Sequence, residues 1–246
     1  MKSLFLTFLL ACPHGNAAVS FITSTLKGNP VNVTSDAMNC TGANFVGVIV
    51  ADQLMSAAVG TMTSSPSNTW HALADSPDGG NSHVAIWYAE NATVSSSMTV
   101  TYSGGNFPLI MPMCFSLVAT ASSLDQGADY FFGASPLSTG PIVPGFDGEL
   151  IITGTADDEA TLHEPNAITG SDSACYHVVQ HTALIPGVNS AGAAAYCIQT
   201  TAASTTPVWH GFVSGSSTIA TFKAAVATGG VTISGPVTIS GSGRIN

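Results

Sequence analysis

Short apolar runs rich in Val, Ile, Phe, Tyr and Trp recur along the whole chain, and Gly, Pro, Asn, Asp or Ser closes most of them. β-Branched and aromatic side chains fit a pleated surface, and those five residue types punctuate turns, so the runs read as strands. They fall at Ala18–Thr25, Asn44–Ala51, Thr69–Leu73, His83–Glu90, Met98–Tyr102, Leu109–Val118, Glu149–Gly154, Tyr176–Thr182, Ala193–Gln199, Val208–Phe212 and Thr218–Lys223. Partial alternation in His83–Tyr88 and Met98–Tyr102 is the period of a half-buried strand. Asn91 to Ser97 between them reads as a turn, which predicts that these two strands pair antiparallel. No long stretch keeps a helical period. Ser56–Gly60 is too short, and Ile219–Ala227, the best helical candidate, is weakened by Thr, Val and nearby Gly. Many short strands without interleaved helices predict an all-β fold, an antiparallel β-sandwich or jelly roll.

The 246 residues can bury one large all-β domain or two small ones. Residues 1–18 resemble a secretory leader. Lys2 precedes the apolar run Leu4–Cys12, and Gly15-Asn16-Ala17-Ala18 offers small residues for cleavage. Such a segment is either cut off or kept as an apolar strand. Residues 19–225 form the expected sandwich. The longest irregular stretch in it is Ala119–Asp147, with Asp125, Asp129, Tyr130, Phe131, Phe132 and three prolines. It reads as a crossover between two sheets, or else as a binding loop. Residues 226–246 carry Val-Thr-Ile-Ser-Gly twice, six residues apart. Two copies are too few for a solenoid. Val231, Ile233, Val237 and Ile239 instead suit an arm that adds strands to a neighbouring subunit, against the plainer reading of a frayed terminus.

Only 7% of residues are Asp, Glu, Lys or Arg, and Lys and Arg number four. So few cations cannot neutralise phosphates, which argues against nucleic-acid binding. The net charge of −10 argues equally against anionic membrane surfaces. No other segment is long and apolar enough for a membrane helix.

The five cysteines include no Cys-x-x-Cys pair and no zinc-like Cys–His spacing. Two disulfides among Cys40, Cys114, Cys175 and Cys197, with Cys12 left over, fit an oxidising compartment. Small buried thiols fit as well.

Three Asn-x-Thr triplets (at Asn32, Asn39 and Asn91) arise easily by chance in so Asn- and Thr-rich a chain. Asp157-Asp158-Glu159 concentrates negative charge that Ca²⁺ would relieve, and Asp75 to Asn81 offers oxygens too, although both suit solvated turns. No other cofactor is expected. His177 and His181 lack a zincin glutamate and read as rim residues. Glu90, Asp147, Glu149, Glu159 and Glu164 are candidates for a glycosidase pair, and no nucleophile elbow is present. The best glycan platform is Trp70 with Asn68 and His71, joined by Tyr130 from the long irregular stretch, because ring faces stack on sugars while amides bond hydroxyls.

The order of motifs is itself informative. Thr41-Gly42-Ala43-Asn44 precedes an apolar strand, followed by Asn68–Leu73, Trp87–Val94, Gly148–Gly154, Ala194–Thr201 and Ile219–Lys223. Over roughly residues 18–225 this resembles a group of mostly uncharacterised β-sandwich proteins of tailed-bacteriophage virions and bacterial surfaces. The motifs mark a fold and bring no active-site residues. The resemblance implies a non-enzymatic structural protein on a virion surface: a decoration, turret, spike or fibre-base protein. It would self-associate, touch other virion proteins and bind host surface polysaccharide weakly. A secreted bacterial carbohydrate-binding or adhesion module is the alternative, and a jelly-roll glycoside-acting enzyme the third.

Overall fold

The computed structural model describes residues 18–53, 60–73, 82–157, 164–170, 173–183, 190–211 and 213–226, without the side chains of 128–132. The leader-like segment and the proposed arm, Val231, Ile233, Val237 and Ile239 included, lie outside the described residues.

The described chain is an antiparallel all-β sandwich. Its first half holds β1 (Ser20–Ser24), β2 (Lys27–Gly28), β3 (Asn32–Thr34), β4 (Phe45–Gln53), β5 (Thr61–Ser65), β6 (His71–Ala72), β7 (Ser82–Glu90), β8 (Thr99–Ser103) and β9 (Leu109–Ser116). Its second half holds β10 (Leu124–Ala134), β11 (Leu137–Ser138), β12 (Leu150–Asp157), β13 (Ala167–Thr169), β14 (His177–Thr182), β15 (Ala191–Ile198), β16 (Val208–His210) and β17 (Ser214–Phe222), with a 3₁₀ turn at Ser173–Cys175. Each half makes one large and one small sheet. The first large sheet runs β1-β9-β4-β7-β6, with β2 also on β9, and the first small sheet runs β3-β8-β5. The second half gives β10-β17-β12-β15-β14 and β11-β16-β13.

The sheets stack in four layers, small, large, large, small. Alternation along each strand sets this order. Phe45, Ile49 and Ala51 of β4 face the second half, meeting Leu150, Ile152 and Ala156 of β12 in the central core. Val46, Val48 and Val50 point the other way, onto Val33, Met62 and Tyr102 of the first small sheet. On the far side Trp209 packs with Leu137, Ala193 and Ala195. The large sheets are therefore covered on both faces, which is why β4, β7 and β9 read as near-continuous apolar runs. Thr153 and Thr155 of β12 are fully buried and donate to Thr218 O (2.8 Å) and Ser216 O (2.7 Å). A disulfide closes each half. Cys40 bonds Cys114 in the first and Cys175 bonds Cys197 in the second, and neither crosses between halves.

All eleven expected strands are present. Three expectations change. β7 and β8 do not pair: β7 lies between β4 and β6, while β8 lies between β3 and β5. The link between them carries the chain from one layer to the next, so Trp87 meets Tyr102 ring to ring across the layers at 6.2 Å. Ala119–Asp147 is not one irregular stretch, because it contains the eleven-residue β10 and the short β11. Gly127, Gly133 and two aspartates hide β10 from a propensity reading. Ile219 to Phe222, within the best helical candidate, belongs to β17. No helix among the described residues is long and apolar enough to cross a membrane.

Candidate functional site

The polar side chains are easiest to judge by what each already holds. Asn68 is a structural brace. Its amide donates to Thr93 O (3.0 Å) and Ser64 Oγ (3.1 Å), and its Oδ1 accepts from Thr93 N at 2.7 Å. Trp70 is half-buried against the first outer core, with its Nε1 shielded and lacking an acceptor. His71 is exposed and stacks on Tyr88, ring centroids 5.1 Å apart. Of these three neighbours His71 is exposed, while Asn68 and Trp70 are half-buried. Tyr130 lies on β10, in the second half of the chain, and its side chain is outside the described residues.

Glu90 lies near His71. Glu90, at the end of β7, accepts from Ser123 N at 2.7 Å. Burial works against its charge, but the amides of Ser123 and Ser122 and the nearby His71 outweigh burial and hold the carboxyl below its ordinary range. Burial and the Glu90 charge push the Tyr88 phenol up.

Asp157 ends β12 and is buried, whereas Asp158 and Glu159 lie outside the described residues. Among the described residues no three His, Cys, Asp or Glu side chains gather as a metal-binding group. The histidines are spread out. His181 Nδ1 meets Glu164 Oε1 at 2.6 Å on an exposed edge, His210 Nε2 meets Thr169 Oγ1 at 2.7 Å, and His177 packs on Tyr196.

A pairing that sequence reasoning missed is Glu149 with Asp125. Glu149 was a candidate from the sequence, but its partner sits on unrecognised β10. Glu149 is fully buried just before β12, and its Oε1 accepts from Phe146 N at 3.1 Å. Asp125 Oδ2 accepts from Gly145 N at 2.8 Å. Burial pushes Glu149 up to about 6, and the adjacent Asp125 adds to the rise. Nearby, a hollow of about 300 Å³ is lined by Ala119, Ser122, Phe146, Lys223 and Val226. Lys223 Nζ sits 6.0 Å from the Phe146 ring centre and donates to Ser122 O.

The chain matches no known family model, no curated protein and no solved structure.

Proposed function

We propose that this chain is a non-enzymatic structural protein displayed outside the cytoplasm, on the surface of a virion. The observation that carries the reading is the disulfide in each half, Cys40–Cys114 and Cys175–Cys197. Such bonds persist in extracellular settings and on virion and cell surfaces, and are rare in a reducing cytoplasm. Scaffolding also suits the way the polar groups are used. Asn68, Glu90 and Asp125 each bond a backbone amide of another segment, and Glu149 bonds one within its own loop, which fixes loops. A surface of hydroxyls and amides with a charged content of 7% favours repeated weak contacts with copies of itself and with neighbouring virion proteins.

A second reading is a secreted glycan-binding or adhesion module. Exposed His71 stacked on Tyr88 favours it, as an aromatic edge where a sugar ring can rest.

Quantitative mass spectrometry of gradient-purified particles separates the two. The structural reading predicts a fixed copy number relative to the shell protein. A soluble monomer in the medium, beginning near Ala18 and absent from particles, would sink it in favour of the module.

A further inference from the structure

The two halves have one strand order. If β2 is set aside, each half has eight strands, and the large sheet of each runs first-eighth-third-sixth-fifth. The small sheet of each runs second-seventh-fourth. The ladders fix the matching residue by residue. Phe45 of β4 pairs with Glu90 and Phe115, while Leu150 of β12 pairs with Ile198 and Phe222. Continuing those registers matches Asp52 with Asp157, Tyr88 with Tyr196 and Phe115 with Phe222. In the small sheets Tyr102 sits between Val33 and Met62, as Trp209 sits between Leu137 and Ile168. Two residues further on, Gly104 and Gly211 both turn the chain at positive φ, 105° and 96°.

Contacts between the halves are exchanged in the same way. Tyr88 meets Phe222 edge to face at 5.2 Å, and its counterpart Tyr196 meets Phe115 edge to face at 5.4 Å. Residue i touching j′ while i′ touches j is the mark of a two-fold interface. At its centre matched positions face each other. A Cβ on Gly47 would lie 2.5 Å from Ile152 Cδ1, and a Cβ on Gly154 would lie 2.5 Å from Ile49 Cγ2. Gly47 matches Ile152, and Ile49 matches Gly154. Two isoleucines cannot share one spot on an axis, and the chain places one isoleucine and one glycine at each.

We infer that this chain is a fused dimer: two copies of one eight-stranded module, joined through 119–123, with an isologous protein–protein interface held within one polypeptide. The winding is that of a jelly roll whose fifth strand has moved to the edge of the large sheet. The partner that the apolar large-sheet face fits is therefore another copy of the same module, and the central core is that contact.

The full-length chain can test this by exchanging the axis residues between halves. Gly47→Ile alone overpacks and Ile152→Gly alone leaves a cavity, so each lowers the unfolding midpoint by roughly 5–10 °C. The double variant G47I/I152G is expected within roughly 3 °C of the parent. Because 47 and 152 are matched positions, the space emptied on one side has the shape needed from the other. A double variant that is unfolded, or no more stable than the worse single, overturns the inference, even if a single variant fails to fold. A protease site placed within 119–123 of the full chain gives a second readout. The nicked halves should stay together as a 1:1 complex through the central core, with or without reductant, since both disulfides of the described residues lie within a half. Halves that separate in native buffer contradict it.

Discussion

Asp125 and Glu149 lie against one another beneath the loop between β11 and β12, and each accepts a different amide of that loop, Gly145 N and Phe146 N. The folded protein holds Glu149 at about 6, above its ordinary 4.5, chiefly through burial. Its proton is thus bound more tightly in the folded state. The associated stability is complete below about 4.5 and is lost as pH rises through about 6. At 1.36 kcal/mol per pKa unit, the rise from 4.5 to about 6 is worth on the order of 2 kcal/mol. Glu149→Gln keeps the shape and does not ionise. Thermal melts should show E149Q more stable than the parent at pH 8, by roughly 4–8 °C, with the gap closing toward pH 4.5. A gap independent of pH would contradict this assignment.

The Gly154–Ile49 contact gives a second prediction. Adding a methyl at Gly154 drives it into Ile49, so Gly154→Ala should cost about 1–3 kcal/mol. Trimming the neighbour to Val or Ala should recover part of that loss, giving a coupling of at least about 0.5 kcal/mol in a double-mutant cycle. Urea denaturation measures it, and strict additivity would mean that the two sheets do not meet here.

Trp209 is fully buried and donates its indole N–H to Thr153 Oγ1 at 3.1 Å. Thr153→Val keeps the volume and strands that donor, at a cost of about 1–3 kcal/mol. W209F/T153V removes both partners and should cost less than the sum of the two single changes. Chemical denaturation followed by circular dichroism tests the difference.

The central strands were legible because their environment is uniform. β4, β7 and β9 are apolar on both faces over most of their length, and the turn residues inside them, Gly47 and Pro112 in their middles and Asp52 near the end of β4, are too few to break the runs. β10 was hidden because an edge strand tolerates Gly and Asp, and the strand expected at Glu149–Gly154 stopped three residues short of the end of β12 because the outward side chains there include threonines bonded to β17. The duplication left a faint trace. Asn81-Ser82 stands six residues before Tyr88, as Asn189-Ser190 stands six before Tyr196, and Ala51-Asp52 matches Ala156-Asp157. Elsewhere each half diverged to fit the other, as Gly47 and Ile152 did, so sequence likeness faded while the winding stayed. Among the glycan candidates, Asn68 is spent on the Thr93 loop, a role that neighbouring residues in sequence do not reveal.

Disulfides should carry much of the stability. On a chain-entropy model, closing the 74-residue separation of Cys40–Cys114 is worth about 4.5 kcal/mol and the 22-residue separation of Cys175–Cys197 about 3.4 kcal/mol. Cys114→Ser is therefore expected to lower the melting temperature more than Cys197→Ser, both measured without reductant. The reverse order would show that native packing, not loop closure, dominates.

The most direct test of a disulfide-closed protein living outside the cytoplasm is peptide mapping of material isolated without reductant and alkylated before digestion. The account predicts two linked pairs, Cys40 with Cys114 and Cys175 with Cys197, and no alkylation at any of the four. Four alkylated thiols in material from intact particles or medium would contradict it.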